Sequence, residues 1–175
     1  MASIDTARIF ARKILRRYSI SSGATPIEKI IKDYDIEILF LPLSESVSGA
    51  MKRKNKKGKP VIVVNSEETS EERKRFTMAH EFGHYIMHSL LPQRIDRHKI
   101  YFRDTNSSTG EDIKEIQANQ FAAEILMPIN SLKKDYYENS SLIIGDNPSK
   151  LIKKLAKKYK VSEHAMSIRI AKFFY

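Results

Sequence analysis

The stretch His80-Glu81-Phe82-Gly83-His84 constrains this chain more than any other five residues. On an α-helix, residues four apart lie one turn above each other, so His80 and His84 project from one face and can reach a single divalent ion. Glu81 sits about 100° round from His80. That is too far round to ligate with them, yet close enough to reach a water at the same ion, accept its proton and pass it on. With five histidines in 175 residues, chance produces this arrangement about once in a hundred chains of like composition. The flanks favour a helix from about Ser70 to Leu91: Thr69 and Glu72 have capping-box spacing, and Pro92 stops the pattern.

Two histidines make an incomplete centre, because catalytic zinc takes three protein ligands and keeps one position for water. His88, His98, Glu111, Glu115 and Glu124 are the candidates for the third. A histidine six residues beyond His84 would mark one known class, but Leu90 stands there. His88 lies one turn further along the same helix, about 6 Å away along the axis, a poor geometry for a tetrahedron. A further helix is expected from about Thr109 to Leu126, between the capping pair Ser108 and Glu111 and the stop at Pro128. On it Glu115, Ala118, Asn119 and Ala122 share one face, whose small residues admit a close neighbour, and Gly83 can do the same from the other side. Glu124 is about 180° round from Glu115, so at most one of the two faces the ion. Glu111 is explained by the favourable field at a helix start. Glu115 is therefore the expected third ligand, with Asn119 one turn on as a group that orients a ligand.

The rest of the chain supplies a scaffold. A first helix is expected over residues 3–19, with Ala7, Phe10, Ile14, Leu15 and Tyr18 as its inner stripe, and a second begins at Thr25-Pro26-Ile27-Glu28, with Thr25 as cap. Ile36 to Leu41, Val47 to Arg53 and Val61 to Asn65 read as three short strands, the last two joined across the polar turn from Lys54 to Lys59. So small a sheet must bury one face on helices. Residues 92–108 form a long connection, in which Lys99 to Arg103 has strand character, and a short helix is expected near Ile129–Tyr137. The last residues read as two helices broken at Lys160-Val161-Ser162. The expected organisation is a core over residues 1–148 and a helical pair over 149–175 packed on it, one compact domain overall.

Composition closes off several classes. There is no cysteine, so disulfides and thiol chemistry are excluded, in keeping with a cytoplasmic location. No run approaches the ~20 apolar residues of a membrane span, and basic residues interrupt the start before a signal-peptide core could form. The net charge of +10 is concentrated in two patches, Lys52–Lys59 and residues 150–175. Such patches draw nucleic acid or acidic partners, although a solvated helix face is their commoner meaning.

The run Arg75-Phe76-Thr77-Met78-Ala79-His80-Glu81-Phe82-Gly83-His84, followed by Glu115-Ile116-Gln117-Ala118-Asn119-Gln120-Phe121-Ala122-Ala123-Glu124-Ile125-Leu126-Met127-Pro128, closely resembles the ImmA/IrrE family of metallo-endopeptidases. The likeness extends to Ser48-Gly49 and Val61-Ile62-Val63-Val64-Asn65 and covers nearly the whole chain. It implies Zn²⁺ held by His80, His84 and Glu115, with Glu81 as general base. It also implies an α+β fold, with a small twisted three-stranded sheet on a mainly helical zincin-like core and a C-terminal helix-turn-helix-like pair. Members of this family cut a helix-turn-helix repressor, often encoded nearby, and so release genes of mobile elements or a stress response. Larger members carry a C-terminal sensor domain, for which this chain leaves no room. The expected substrate segment lies extended along a sheet edge. Leu155 to Met166 resembles a helix-turn-helix, with Lys160 where glycine is usual and Arg169 at a normally apolar position. This tail offers a weak nucleic-acid contact, and the competing reading is a DNA-binding or repressor-sequestering regulator that uses the protease core as a scaffold. Tyr85, His88, His98, Tyr101, Tyr136 and Tyr137 are candidates for stabilising an oxyanion.

Overall fold

A computed structural model describes residues 4–53, 58–88, 94–96, 110–139 and 148–174. Helix α1 (Ile4–Arg17) buries Ala7, Ala11, Ile14 and Leu15. Phe10, expected inside, is 36% exposed, while Ala11 beside it is fully buried, and α1 packs against a later helix, α4 (Gly110–Leu126). Helix α2 (Ile27–Asp33) has no side-chain cap. The Thr25 hydroxyl instead donates to the Ile125 carbonyl at 2.6 Å and ties the start of α2 to the end of α4.

Three strands, β1 (Glu37–Leu41), β2 (Gly49–Arg53) and β3 (Pro60–Asn65), fall close to where alternation placed them. β1 runs parallel to β3 and β2 antiparallel to it. A three-residue strand, β4 (Arg94–Asp96), pairs antiparallel with Gly49–Met51, so the order is β1-β3-β2-β4. Arg-Ile-Asp is too short and too polar to announce a strand in the sequence. The Lys99–Arg103 stretch lies outside the described residues. Val61 to Asn65 are all buried, as a central strand requires. The Asn65 amide donates to the Val47 carbonyl at 3.0 Å, and its oxygen accepts from the Leu43 and Glu67 amides at 3.1 Å. It thereby clamps the connection between β1 and β2.

Helix α3 (Glu71–His88) packs on β2 and β3. Its cap is Ser70 rather than Thr69, since the Ser70 hydroxyl accepts from the Arg73 amide at 3.2 Å. Met51, Ile62 and Val64 on the sheet join Met78, Ala79 and Phe82 of α3 and Phe121, Ala122 and Ile125 of α4 in one core. Helix α5 (Ile129–Glu138) follows the Pro128 stop.

The last two helices, α6 (Pro148–Tyr159) and α7 (Glu163–Phe174), are joined by a tight turn. Lys160 adopts φ +52°, the left-handed conformation expected at this position, while the Val161 amide bonds back to the Ala156 carbonyl at 3.1 Å. Two polar anchors hold the pair to the core. Asp135 accepts from Tyr159 at 2.6 Å, Lys158 at 2.8 Å and Ser22 at 3.3 Å. Burial favours the protonated acid, but the Lys158 and Tyr159 hydrogen bonds outweigh it and lower the Asp135 pKa. The second anchor is Glu124, buried on α4, which binds Arg12 at 2.8 Å and the buried Arg169 of α7. Arg169 also donates to the Met127 carbonyl at 3.0 Å, which accounts for a charged residue at an inward position. Removing Glu124 leaves that guanidinium buried without its counter-charge. We expect Glu124→Ala to cost about 3–5 kcal/mol in chemical denaturation, and Arg12→Ala to cost less because Arg169 still neutralises the carboxylate.

Candidate metal centre

Helices α3 and α4 are pressed together by small residues. A Cβ built on Gly83 would stand 3.0–3.2 Å from the side chain of Phe121, tighter than ordinary contact. Ala118 and Ala122 are fully buried, and the Phe82 and Phe121 rings meet edge to face at 5.8 Å. This close approach brings a carboxylate from one helix to two imidazoles on the other. His80 Nε2 lies 3.0 Å from His84 Nε2 and 3.2 Å from Glu115 Oε2, and His84 Nε2 lies 3.2 Å from Glu115 Oε1. His80 and His84 are buried, while the Glu115 side chain is 25% exposed.

The triangle has the size that an ion needs. Tetrahedral zinc with bonds of about 2.0–2.1 Å sets its ligand atoms about 3.3 Å apart; the two imidazole nitrogens stand 3.0 Å apart, each has a different Glu115 oxygen at 3.2 Å, and one atom from each residue lies within 4.8 Å of the others. The donor set is also right, with two imidazole nitrogens and a carboxylate converging among buried groups. The Asn119 Oδ1 sits 2.9 Å from His80 Nδ1. A carboxamide oxygen only accepts, so the His80 proton is on Nδ1 and Nε2 presents its lone pair to the triangle. On the His84 side, His84 Nδ1 lies 3.0 Å from His88 Nδ1, and His88 Nε2 lies 2.9 Å from Gln117 Oε1.

Glu81 is fully buried. It shares a face of α3 with Thr77, one turn earlier, and this face looks at β2. A Cβ on Gly49 would come within 2.4 Å of Thr77 Cγ2, 2.8 Å of the Val63 carbonyl and 3.9 Å of Glu81 Cγ. Only glycine lets the strand pass so near the helix.

The remaining candidates separate by position. Glu124 points to Arg12 and Arg169, away from the triangle. His88 stands behind His84 rather than with the three converging groups. Tyr85 stacks on Phe82 at 6.4 Å, and Tyr136 packs edge-on against Tyr137 at 5.7 Å. The His98 and Tyr101 positions and the Glu111 side chain lie outside the described residues. Gln117 is the participant that sequence reasoning missed: two residues from Glu115 it points about 200° round the helix, and only the length of its side chain brings it to His88.

Known proteins bear on this arrangement in two ways. The family model described as the IrrE N-terminal-like domain, Peptidase_M78, matches residues 31–171. A Mycobacterium tuberculosis transcriptional regulator of known structure is similar in fold, with a TM-score of 0.54 at 14% identity, over 93% of this chain and 50% of that one. The chain thus spans about half the length of that regulator. No curated protein sequence matches it.

The spacing between α3 and α4 can be tested directly. A methyl group at position 83 would press on Phe121, which must give by a few tenths of an ångström. If the three groups hold a divalent ion, Gly83→Ala is expected to weaken its binding about tenfold, as when the supports of a metal site are disturbed, measured by competition with a chelating dye.

Proposed function

Because the chain belongs to the peptidase family of the IrrE N-terminal-like domain, we propose that it is a zinc-dependent endopeptidase whose substrate is a helix-turn-helix transcriptional repressor. The observation that carries this reading is the convergence of His80, His84 and Glu115 from two helices within about one coordination edge of one another. His80, His84 and Glu115 hold the ion, and Glu81 is the general base. When bound, zinc supplies Lewis-acid polarisation of the scissile carbonyl and lowers the pKa of water. Glu81 takes the proton from the attacking water and delivers it to the departing amine, so one carboxylate serves as base and then as acid. Its burial against Gly49 and Thr77 holds it in one place for both transfers. Asn119 keeps His80 in the tautomer that offers Nε2.

The substrate segment is proposed to lie extended at the β2 side of the sheet, because β2 is the strand that passes Glu81. Since β4 already pairs with Gly49–Met51, a segment that bonds directly to those residues takes the place of β4. Cutting the repressor would release the genes it silences, those of a mobile element or a stress response.

A second reading, a DNA-binding or repressor-sequestering regulator, is favoured by the exposed row Lys150, Lys153, Lys154 and Lys157 on α6. It predicts retardation of promoter DNA that survives metal removal and is lost when Lys153 and Lys157 are both changed to Glu. Lys158 is left intact in that variant because it holds Asp135. No retardation by the unaltered protein would exclude the DNA-binding form of this reading.

The peptidase reading is tested by mixing the protein with the repressor encoded beside it and following intact mass. Cleavage is expected with zinc and not after chelation. The variant Glu81→Gln is expected to bind zinc normally and to cut at least a hundredfold more slowly. Full cleavage by that variant would refute the assigned base.

A further inference from the structure

His80 and His84 are supported differently. His80 meets a carboxamide directly, whereas His84 meets another imidazole, and that imidazole meets the carboxamide. The two contacts of His88 are not independent. Gln117 Oε1 has lone pairs and no proton, so the hydrogen of the 2.9 Å contact resides on His88 Nε2. A neutral imidazole with its proton on Nε2 has a bare Nδ1. The 3.0 Å contact between His84 Nδ1 and His88 Nδ1 then takes its hydrogen from His84. With that proton on Nδ1, His84 Nε2 has its lone pair free, and Nε2 is the atom that stands 3.0–3.2 Å from His80 and Glu115.

We infer that His88 is a positioning residue, a relay through which Gln117 on α4 fixes the tautomer and ring orientation of His84 on α3. The inference rests on the metal-centre reading above and extends it to two residues that touch no ion. It gives α4 three roles in one site: Glu115 binds, Asn119 orients His80 directly, and Gln117 orients His84 at one remove. His88 is half-buried at the last described turn of α3, and Gln117 is buried, so both contacts are shielded from competing water. An imidazole suits the intermediate place because its two nitrogens accept on one side and donate on the other. A glutamine carboxamide has the same pair of functions, while phenylalanine has the ring volume and neither.

That difference separates a relay from mere packing. Zinc affinity is measured by chelator competition for the wild type, His88→Gln and His88→Phe. The relay predicts that His88→Phe loses ten- to a hundredfold in affinity and that His88→Gln recovers most of it. If His88→Phe binds as tightly as the wild type, or more tightly than His88→Gln, the side chain only fills space and the relay is refuted. Nitrogen-15 NMR of histidine-labelled protein gives a second readout that needs no metal. The relay requires His88 as the Nε2–H tautomer and His84 as the Nδ1–H tautomer, and the opposite assignment overturns it. A wild-type protein that takes up no zinc would sink the metal-centre reading, while the tautomer spectrum would still decide the relay.

Discussion

The close contact between α3 and α4 is the constraint on which the site depends. Two imidazoles on one helix are set by spacing alone, but a carboxylate from another helix reaches them only if the backbones come near enough. Gly83 against Phe121, with Ala118 and Ala122 buried beside them, supplies that nearness. Desolvating an acid at a helix junction is costly. A cation held in common with the two imidazoles would offset that cost. Packing of apolar groups thus sets the distance, and electrostatics makes the charge tolerable once the distance is set.

The same helix carries structural and chemical groups on different faces. Glu115 and Asn119 face the imidazoles, Gln117 reaches His88, and Glu124 receives Arg12 and Arg169. α4 is therefore held by α3 along one side, by α1 along another and by α7 near its end. A ligand set split between two helices demands such fixing, because sub-ångström shifts between them change both separations to Glu115. The glycine at position 49 plays the corresponding part for β2, which passes close to Glu81 and Thr77.

Much of this was legible in the sequence because it depends on local periods. Four-residue spacing puts His80 and His84 together, and the stripe from Glu115 to Ala122 marks a close-packing face. The turn at Lys160, adopting φ +52° without a glycine, was located by its position between two amphipathic helices. Apart from the cap of α3, which moved by one residue to Ser70, the misreadings concern groups whose partners are distant in the chain. Thr25 has the composition of a cap and bonds to Ile125 instead, 100 residues away. Phe10 fits the inner stripe by period, yet Ala7, Ala11, Ile14 and Leu15 fill the buried face and Phe10 lies 36% exposed. Arg169 breaks an apolar pattern because Glu124 waits opposite it.

What the sequence by itself determined, then, is the helical spacing of His80, Glu81 and His84, the candidate carboxylate on a second helix, and the family to which both motifs belong. Tertiary structure alone decided how near Glu115 comes to the imidazoles, that Glu124 meets Arg12 and Arg169 instead, that β4 lies beside Gly49, and that Gln117 reaches His88 from what a helical wheel calls the wrong side. The reason is physical. Periodicity fixes directions about one helix axis, whereas a metal centre is a set of distances between axes, and those distances come from how side chains on different elements fill the space between them.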